Sequence, residues 1–303
     1  MKIIRLLLTI VSLCLFIQTV YAQVGTTGLQ FLQIGIGARA CGMGEAFSSL
    51  SDDASGIYWN PAGIGFVEQK EFLFMHNEWL EGTRYEFLSG IIHLSKLGSF
   101  GVALTYFDYG DMEGRDEFGH HVADFSAYDF ALLLSYSRKI KDDFSAGITG
   151  KIIQSKIETE SGTGFASDIG VLYQGPFNGL QIGFVLQHFG TGLKYVDEVT
   201  KLPMTVRGGI SYTLPINMIN LIPAVDVLKE IDADYKTNIG LEANLMNRIA
   251  LRGGYKVKSS QGGMTAGLGI VQKISFFQLK IDYAYGGYGD LGNSHRVSLG
   301  VAF

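Results

Sequence analysis

Cysteine is almost missing from this 303-residue chain: there are two, Cys14 and Cys41. Cys14 falls in a stretch that reads as an export signal, so the mature chain keeps Cys41 alone and no intramolecular disulfide can form. Cys41 itself reads as a small buried apolar residue. An excess of positive charge is also missing. The formal net charge is −5, which leaves no basic footprint for nucleic acid. Proline is scarce, at 5 residues. Beyond the first residues no stretch stays apolar for the roughly 20 residues that a membrane helix needs. Chemistry is missing too. There is no nucleophile–base arrangement, no glycine-rich phosphate loop and no zinc spacing, and Gly162–Ser167 is a glycine-rich turn and strand start rather than a nucleophile elbow. The chain reads as a non-enzyme with no cofactor.

The first residues, MKIIRLLLTIVSLCLFIQTVYA, carry Lys2 and Arg5, then an apolar run from Leu6 to Ile17, then Val20 and Ala22 at the small-residue exit. Residues 1–22 therefore read as a cleaved signal peptide with the mature chain starting at Gln23. An exported chain without a membrane helix is either a soluble β protein or a membrane β-barrel.

What is present after about residue 70 is a period of two. In FFQLKIDYAYG, residues 276–286, Phe277, Leu279, Ile281, Tyr283 and Tyr285 share one face; Gln278, Lys280, Asp282, Ala284 and Gly286 share the other. Phe100, Val102, Leu104 and Tyr106 alternate with Gly101, Ala103 and Thr105. Ile249, Leu251, Tyr255 and Val257 oppose Arg248, Arg252 and Lys256. Such alternation puts one face in an apolar medium and the other in a polar one. The runs span about 9–13 residues, longer than the usual ~5–6 and close to the ~9–11 that cross a bilayer. About fourteen segments are countable, centred near residues 74, 89, 103, 131, 150, 169, 183, 208, 223, 240, 252, 266, 280 and 299. Pro223 makes the ninth the weakest.

Connections alternate in length. SKLGS, RKIKDD, QGPFNG and LMNR are short; FDYGDMEGRDEFGHHVADFS, FGTGLKYVDEVTKLP, LKEIDADYK and GGYGDLGNS are long. Short turns at one end and longer loops at the other mark an outer-membrane barrel. The final HRVSLGVAF alternates to the terminal Phe303, and such an aromatic-ended strand resembles the signal read by the barrel assembly machinery. The expected fold is all-β: a transmembrane antiparallel barrel of about fourteen strands, residues 70–303, with lipid around it.

The polar face carries Arg207, Asp226, Glu242, Arg252, Lys280, Asp282 and Arg296. These are expected in the lumen, pairing between neighbouring strands. Small inward residues, among them Gly183, Gly209, Gly240 and Gly267, leave room. A barrel of this size cannot be filled by its wall alone, and residues 23–69 are the candidate filling, a small N-terminal hatch. Residues 38–50 read as a short helix, Asp52 or Asp53 as a cap, Asn60 as an N-cap before Pro61, and Gly63 as the end of that turn. Tyr58 and Trp59 bring bulk with polar tips for the wall.

The stretch GIGARACGMGEAFSSLSDDASGIYWNPAGI, residues 35–64, resembles the N-terminal signature of the PorV/PorQ family of outer-membrane proteins. That family is related to the FadL-type fatty-acid transporters, which also carry an Asn-Pro-Ala hatch element. Arg39, Gly42, Gly44, Asp52, Asp53, Asn60, Pro61 and Gly63 match the hatch pattern, with Trp59 inside it, in structural roles. The resemblance implies a role as scaffold or shuttle in type IX protein secretion, with the translocon or secreted cargo as partners. The alternative is a FadL-like channel for hydrophobic small molecules, which calls for an apolar pocket beside the hatch. His120 and His121 lie in an acidic segment with Asp108, Asp111, Glu113, Asp116, Glu117 and Asp124; it reads as a solvated loop.

Overall fold

Two media, lipid outside and a polar lumen inside, account for nearly every strand of the computed structural model, which describes residues 25–195, 198–257 and 263–303. Residues 1–22, which the sequence suggests are a signal peptide, lie outside the described residues. Fourteen strands form the barrel. They are β1 (Glu71–Glu78), β2 (Arg84–Leu94), β3 (Gly98–Met112), β4 (Phe125–Lys141), β5 (Phe144–Ile157), β6 (Glu160–Gln174) and β7 (Leu180–Thr191). Then come β8 (Thr205–Tyr212), β9 (Ile219–Glu230), β10 (Tyr235–Leu245), β11 (Ile249–Val257), β12 (Met264–Ile274), β13 (Phe277–Gly287) and β14 (Asn293–Ala302). Each pairs antiparallel with the next, and β1 pairs with β14 from Glu71↔Ala302 to Glu78↔His295, so the sheet has no free edge. Backbone bonds in both directions between Lys70 and Phe303 continue that seam. All fourteen segments expected from the alternation are strands.

Pro223 sits inside β9, opposite Leu241 of β10. On its other side β9 pairs with the short run Leu214–Ile216 up to Leu221 and with β8 from Ala224 onward. Pro223 thus falls at the break between two partners, where no donor is needed. Outward positions are apolar: Phe72, Phe74, Leu88, Val102, Leu104, Leu134, Ile152, Leu251, Leu268, Ile281 and Leu299 are all exposed on the outer face. Inward positions are small, polar or, where the inner segment packs against the wall, apolar, as at Leu73, Met75, Phe87, Ile91, Leu133 and Ile153, and most are buried.

Connections after even-numbered strands are short, two residues at Asp142–Asp143 and at Ser275–Phe276. They share the end of the barrel that carries Lys70 and Phe303, the periplasmic end. At the other, outer end, strands run further into the loops than the sequence suggests. LKEIDADYK shrinks to a four-residue connection, 231–234, because β9 and β10 extend into it. The loop after β7 folds as a hairpin, Leu193–Tyr195 with Glu198–Thr200.

The faces of β13 generate a first prediction. Ile281 is 45% exposed on the lipid side, so Ile281→Arg should cost about 2–4 kcal/mol near the bilayer midplane, read by urea titration in lipid vesicles. Lys280 points inward onto Glu71, which is 2% exposed, at 3.0 Å. Lys280→Gln alone strands that carboxylate, so it should destabilise more than the double variant Lys280→Gln, Glu71→Gln. Equal losses for the two would contradict the inward assignment.

Candidate functional site

The segment from Gly25 to Lys70 lies inside the barrel and runs its whole height. At the outer end Gly28 N–H donates to Lys201 O at 3.0 Å and Thr27 Oγ1 donates to Asp232. At the periplasmic end the chain enters β1. Between them are two short helices, α1 (Ala38–Gly42) and α2 (Gly56–Trp59), and two 3-10 turns, Gln30–Gln33 and Gly63–Phe66. The expected helix over 38–50 is therefore shorter than its sequence suggests. Gly44 and Glu45 take positive φ, +64° and +65°, and the chain turns away after one helical turn. Helices this short are not stable alone; tertiary contact holds them.

That contact is a belt of wall glycines. A Cβ on Gly147, Gly170, Gly183, Gly240 or Gly254 would fall within 3.0 Å of Pro61, Asn60, Ser48, Met43 or Gly44 respectively. These sites lie on β5, β6, β7, β10 and β11, so the inner segment traces the wall strand by strand. Gly267 of β12 faces Gly42 in the same way. The wall gives up its side chains where the inner backbone needs the space.

Asn60 is fully buried. Its Oδ1 accepts from Ala62 N–H at 3.1 Å, an N-cap with Pro61 in the first position. Its Nδ2 donates to Ser48 O at 2.9 Å and to Val171 O of β6 at 3.1 Å. One side chain thus caps a turn, closes a loop and ties both to the wall. Gly63 opens the 3-10 turn rather than ending the preceding one; a Cβ there would collide with Ser51. Tyr58 and Trp59 differ from expectation: their tips bond within the inner segment, Tyr58 OH to Leu32 O at 3.0 Å and Trp59 Nε1 to Ile36 O at 2.9 Å. Asp53 accepts from Ser55 N–H at 2.9 Å, while Asp52 pairs with Arg39.

The lumen charges form connected groups. Near the periplasmic end Arg39 meets Glu242 through Nε at 3.0 Å and Asp52 through Nη1; Arg252 reaches the same Glu242 at 2.6 Å and Asp282 at 2.6 Å. Glu242 and Arg252 are directly cross-strand. Lys280 pairs not with a neighbouring strand but with Glu71, two strands away, across Gly300 of β14. On β8 and β9, Arg207 approaches Asp226 at 3.5 Å and donates to Glu45 O at 2.9 Å, while Asp226 accepts from Phe47 and Ser48 N–H. Arg296 has no carboxylate partner among the described residues. It bonds Ser294 and Tyr288 and stacks on Trp79 at 5.0 Å.

Sequence reading missed three groups. Lys151, 3% exposed, pairs with Asp168 at 2.7 Å and with His188 Nδ1 at 3.0 Å. Glu45 takes Lys256. Glu71 holds Lys280. Burial acts to raise the Glu45 pKa, but Lys256, Arg296 and Arg207 outweigh it and hold the carboxyl below its usual range. Burial pushes the Cys41 thiol up to about 11, which keeps it protonated and unreactive. In the loop, His120 bonds Asp116 and His121 bonds Asp124.

A closed antiparallel barrel with an apolar outer band, a charged lumen and its own N-terminal chain inside it defines a protein of the bacterial outer membrane. A family model, "Type IX secretion system protein PorV", matches residues 18–231, and the chain belongs to that family. No curated protein matches it. Among solved structures it is similar to the Pseudomonas putida toluene transporter TodX, with TM-score 0.62 and 11% identity over 88% of this chain and 97% of that one. The Ralstonia pickettii toluene transporter TbuX gives TM-score 0.60 and 11% identity over 88% and 97%. A Pseudomonas aeruginosa FadL homologue gives 0.56 and 11% over 93% and 99%. At these identities the likeness is one of fold.

Two outcomes follow from the packing and the charges. Gly254→Ala should displace the inner segment while the barrel still forms; trypsin cleavage within 25–69 should accelerate at unchanged heat-modifiable gel mobility. Glu45 is depressed in the folded state, so its contribution to docking is complete above the unfolded value of 4.5 and disappears as the pH falls below it. Tryptophan fluorescence of the wild type should report loosening in that acid range, and Glu45→Gln should lose that acid-dependent step.

Proposed function

We propose that this protein works in type IX protein secretion as a scaffold or shuttle in the outer membrane, and that residues 25–69 are a hatch that keeps its barrel closed. The observation that carries the reading is the join between the inner segment and the wall. Backbone meets glycine around much of the circumference, and buried ion pairs lock the periplasmic half. A barrel so filled acts through what its outer and lateral surfaces hold rather than through what it conducts. A channel for hydrophobic molecules calls for a continuous apolar pocket, whereas the outer cavity is lined by Glu45, Arg207, Glu230, Asp232, Lys236 and Lys256 among its aromatic rings. The reading gives the protein no catalytic role; its partners are the secretion machinery and its cargo, and lipid.

Deleting the gene should abolish display of secreted cargo at the cell surface, measured by surface proteolysis and immunoblotting, with uptake of toluene or fatty acid unchanged. Undisturbed cargo would sink the secretion role. In planar bilayers the purified wild type should be nearly silent. Asn60→Ala, which removes a cap worth about 0.5–2 kcal/mol, should flicker, and deletion of residues 24–66 should conduct. A deletion variant that stays sealed would show that the wall or loops close the lumen instead.

A further inference from the structure

A second, smaller cavity lies at the periplasmic end, between the inner segment and the wall. It holds about 230 Å³, below the ~300–1,000 Å³ of ordinary small-ligand sites, which leaves room for one charged head group on a short stem. Its wall side is one continuous patch of the ladder. Asn244, Ala250, Gly269, Asp282 and Ser298 stand opposite one another from β10 to β14. Lys280, Gly300 and Leu73 form the next inward row. The inner segment supplies the other side with Gly37, Arg39, Asp52 and Asp53. Asn247, in the turn after β10, and Gln278, beside the turn after β12, also line the space, and the Asp52 side chain is 48% exposed. The cavity therefore faces the periplasm.

Its charges do not balance. Five carboxylates line it, those of Asp52, Asp53, Glu71, Glu242 and Asp282, against the three cations Arg39, Arg252 and Lys280. Those cations are already shared out. Arg39 takes Glu242 and Asp52, Arg252 takes Glu242 and Asp282, and Lys280 takes Glu71. Water screens Asp52, but the other four carboxylates are at most 8% exposed, so one buried negative charge is in excess. An uncompensated buried charge is costly. Glu71 shows where the deficit falls. Lys280 occupies its Oε2, while Oε1 is buried with no partner among the described residues. Asn244 Oδ1 is buried and unmatched in the same way. Both atoms are acceptors, and no side chain lining the cavity has a buried donor left over among the described residues. A metal ion is a poor match, because no three carboxylates among the described residues are gathered to hold one. Leu73, Ala250 and Val271 give the same space apolar surface. Surplus negative charge, acceptors short of N–H donors and apolar surface beside them specify an organic cation.

We propose that the periplasmic cavity binds one ammonium or guanidinium group on an aliphatic stem, its N–H groups donating to Glu71 and Asn244. A free amine and a lysine or arginine side chain of a periplasmic protein share that chemistry, and the probes separate them. Full-length protein in detergent is titrated calorimetrically with butylammonium and butylguanidinium, the free cations. It is titrated likewise with N-acetyl-lysinamide and N-acetyl-argininamide, the same heads on a peptide-like carrier. At least one head group should bind saturably, with butanol, tetramethylammonium and calcium at least tenfold weaker. A carrier-borne head that binds as tightly as its free counterpart assigns the cavity to a protein side chain; its exclusion assigns the cavity to free amines. Glu71→Gln should weaken the bound cation roughly tenfold. Gln278→Lys brings its own ammonium to the cavity and should abolish binding. It adds positive charge where that is short, so it decides the matter should Glu71→Gln not fold, and heat-modifiable gel mobility checks both variants. Saturable binding by none of the four cations, calcium or tetramethylammonium binding as tightly as they do, or a folded Gln278→Lys that binds like the wild type would each overturn the proposal.

Discussion

Closure of the sheet is the constraint from which the rest follows. With β1 bonded to β14, every strand is paired on both sides and the circumference is fixed by the strand count. Fourteen strands enclose more space than wall side chains can fill, and an empty polar lumen would hold water. The N-terminal chain occupies that space, and its own shape is then dictated by the wall. Its helices are single turns because the available path curves with the barrel. Its backbone polar groups, which no regular structure satisfies, are met by side chains: Ser298 Oγ accepts from Ala38 N–H at 2.9 Å, Asp226 serves Phe47 and Ser48, and Gln187 Nε2 donates to Tyr58 O at 2.7 Å. Wall glycines and wall polar groups are two answers to one problem, close approach of an irregular backbone.

The charges belong to the same problem. Burying an ion pair is costly, and a pair of well-packed apolar residues often serves stability as well. Part of the wall, as at Leu73, Met75 and Phe87, already packs apolar side chains inward; a lumen lined wholly in that way would give the barrel an apolar face on each side, and the alternation that fixes register would vanish. Glu242, held by arginines from both the inner segment and β11, shows what the charged alternative supplies. One carboxylate joins a wall strand, its neighbour and the inner segment at defined positions, and a one-residue slip of β10 would turn it into lipid. The pairs therefore work chiefly as register pins.

This explains what the sequence makes legible and what it does not. Strands facing two media must alternate, and all fourteen can be found from that signal alone. Pro223 looks disruptive only because the break in pairing beside it is a tertiary fact. The motif around Asn60 marks the inner segment, and the N-cap geometry is readable from Asn-Pro. The partners of Tyr58 and Trp59 are not, because a segment buried on all sides has no periodicity to say which direction is the wall. Lys280 and Glu71 lie 209 residues apart in sequence and meet only because β14 offers Gly300 between them. Neighbouring strands are the natural guess for a charge partner, and here a missing side chain extends the reach.

The β-bulge in β7 was beyond any pattern argument, and it shows how the wall and the outer cavity are linked. The ladder between β6 and β7 shifts register between Ser167 and Ile169, and His188 takes φ +59°. A bulge inserts one residue, so two consecutive side chains share a face: Gln187 and His188 both point inward, each 2% exposed. Gln187 reaches the inner segment at Tyr58. His188 receives the Lys151 ammonium, and its backbone N–H donates to Asp168 at 2.8 Å. A regular strand would have turned His188 toward lipid and left Lys151 and Asp168 as a bare buried pair. The extra residue gives that pair its remaining hydrogen bonds, as a buried ion pair requires. It also places the second imidazole nitrogen at the cavity wall. One local irregularity thus satisfies a charge pair within the wall, anchors the inner segment, and shapes the outer cavity.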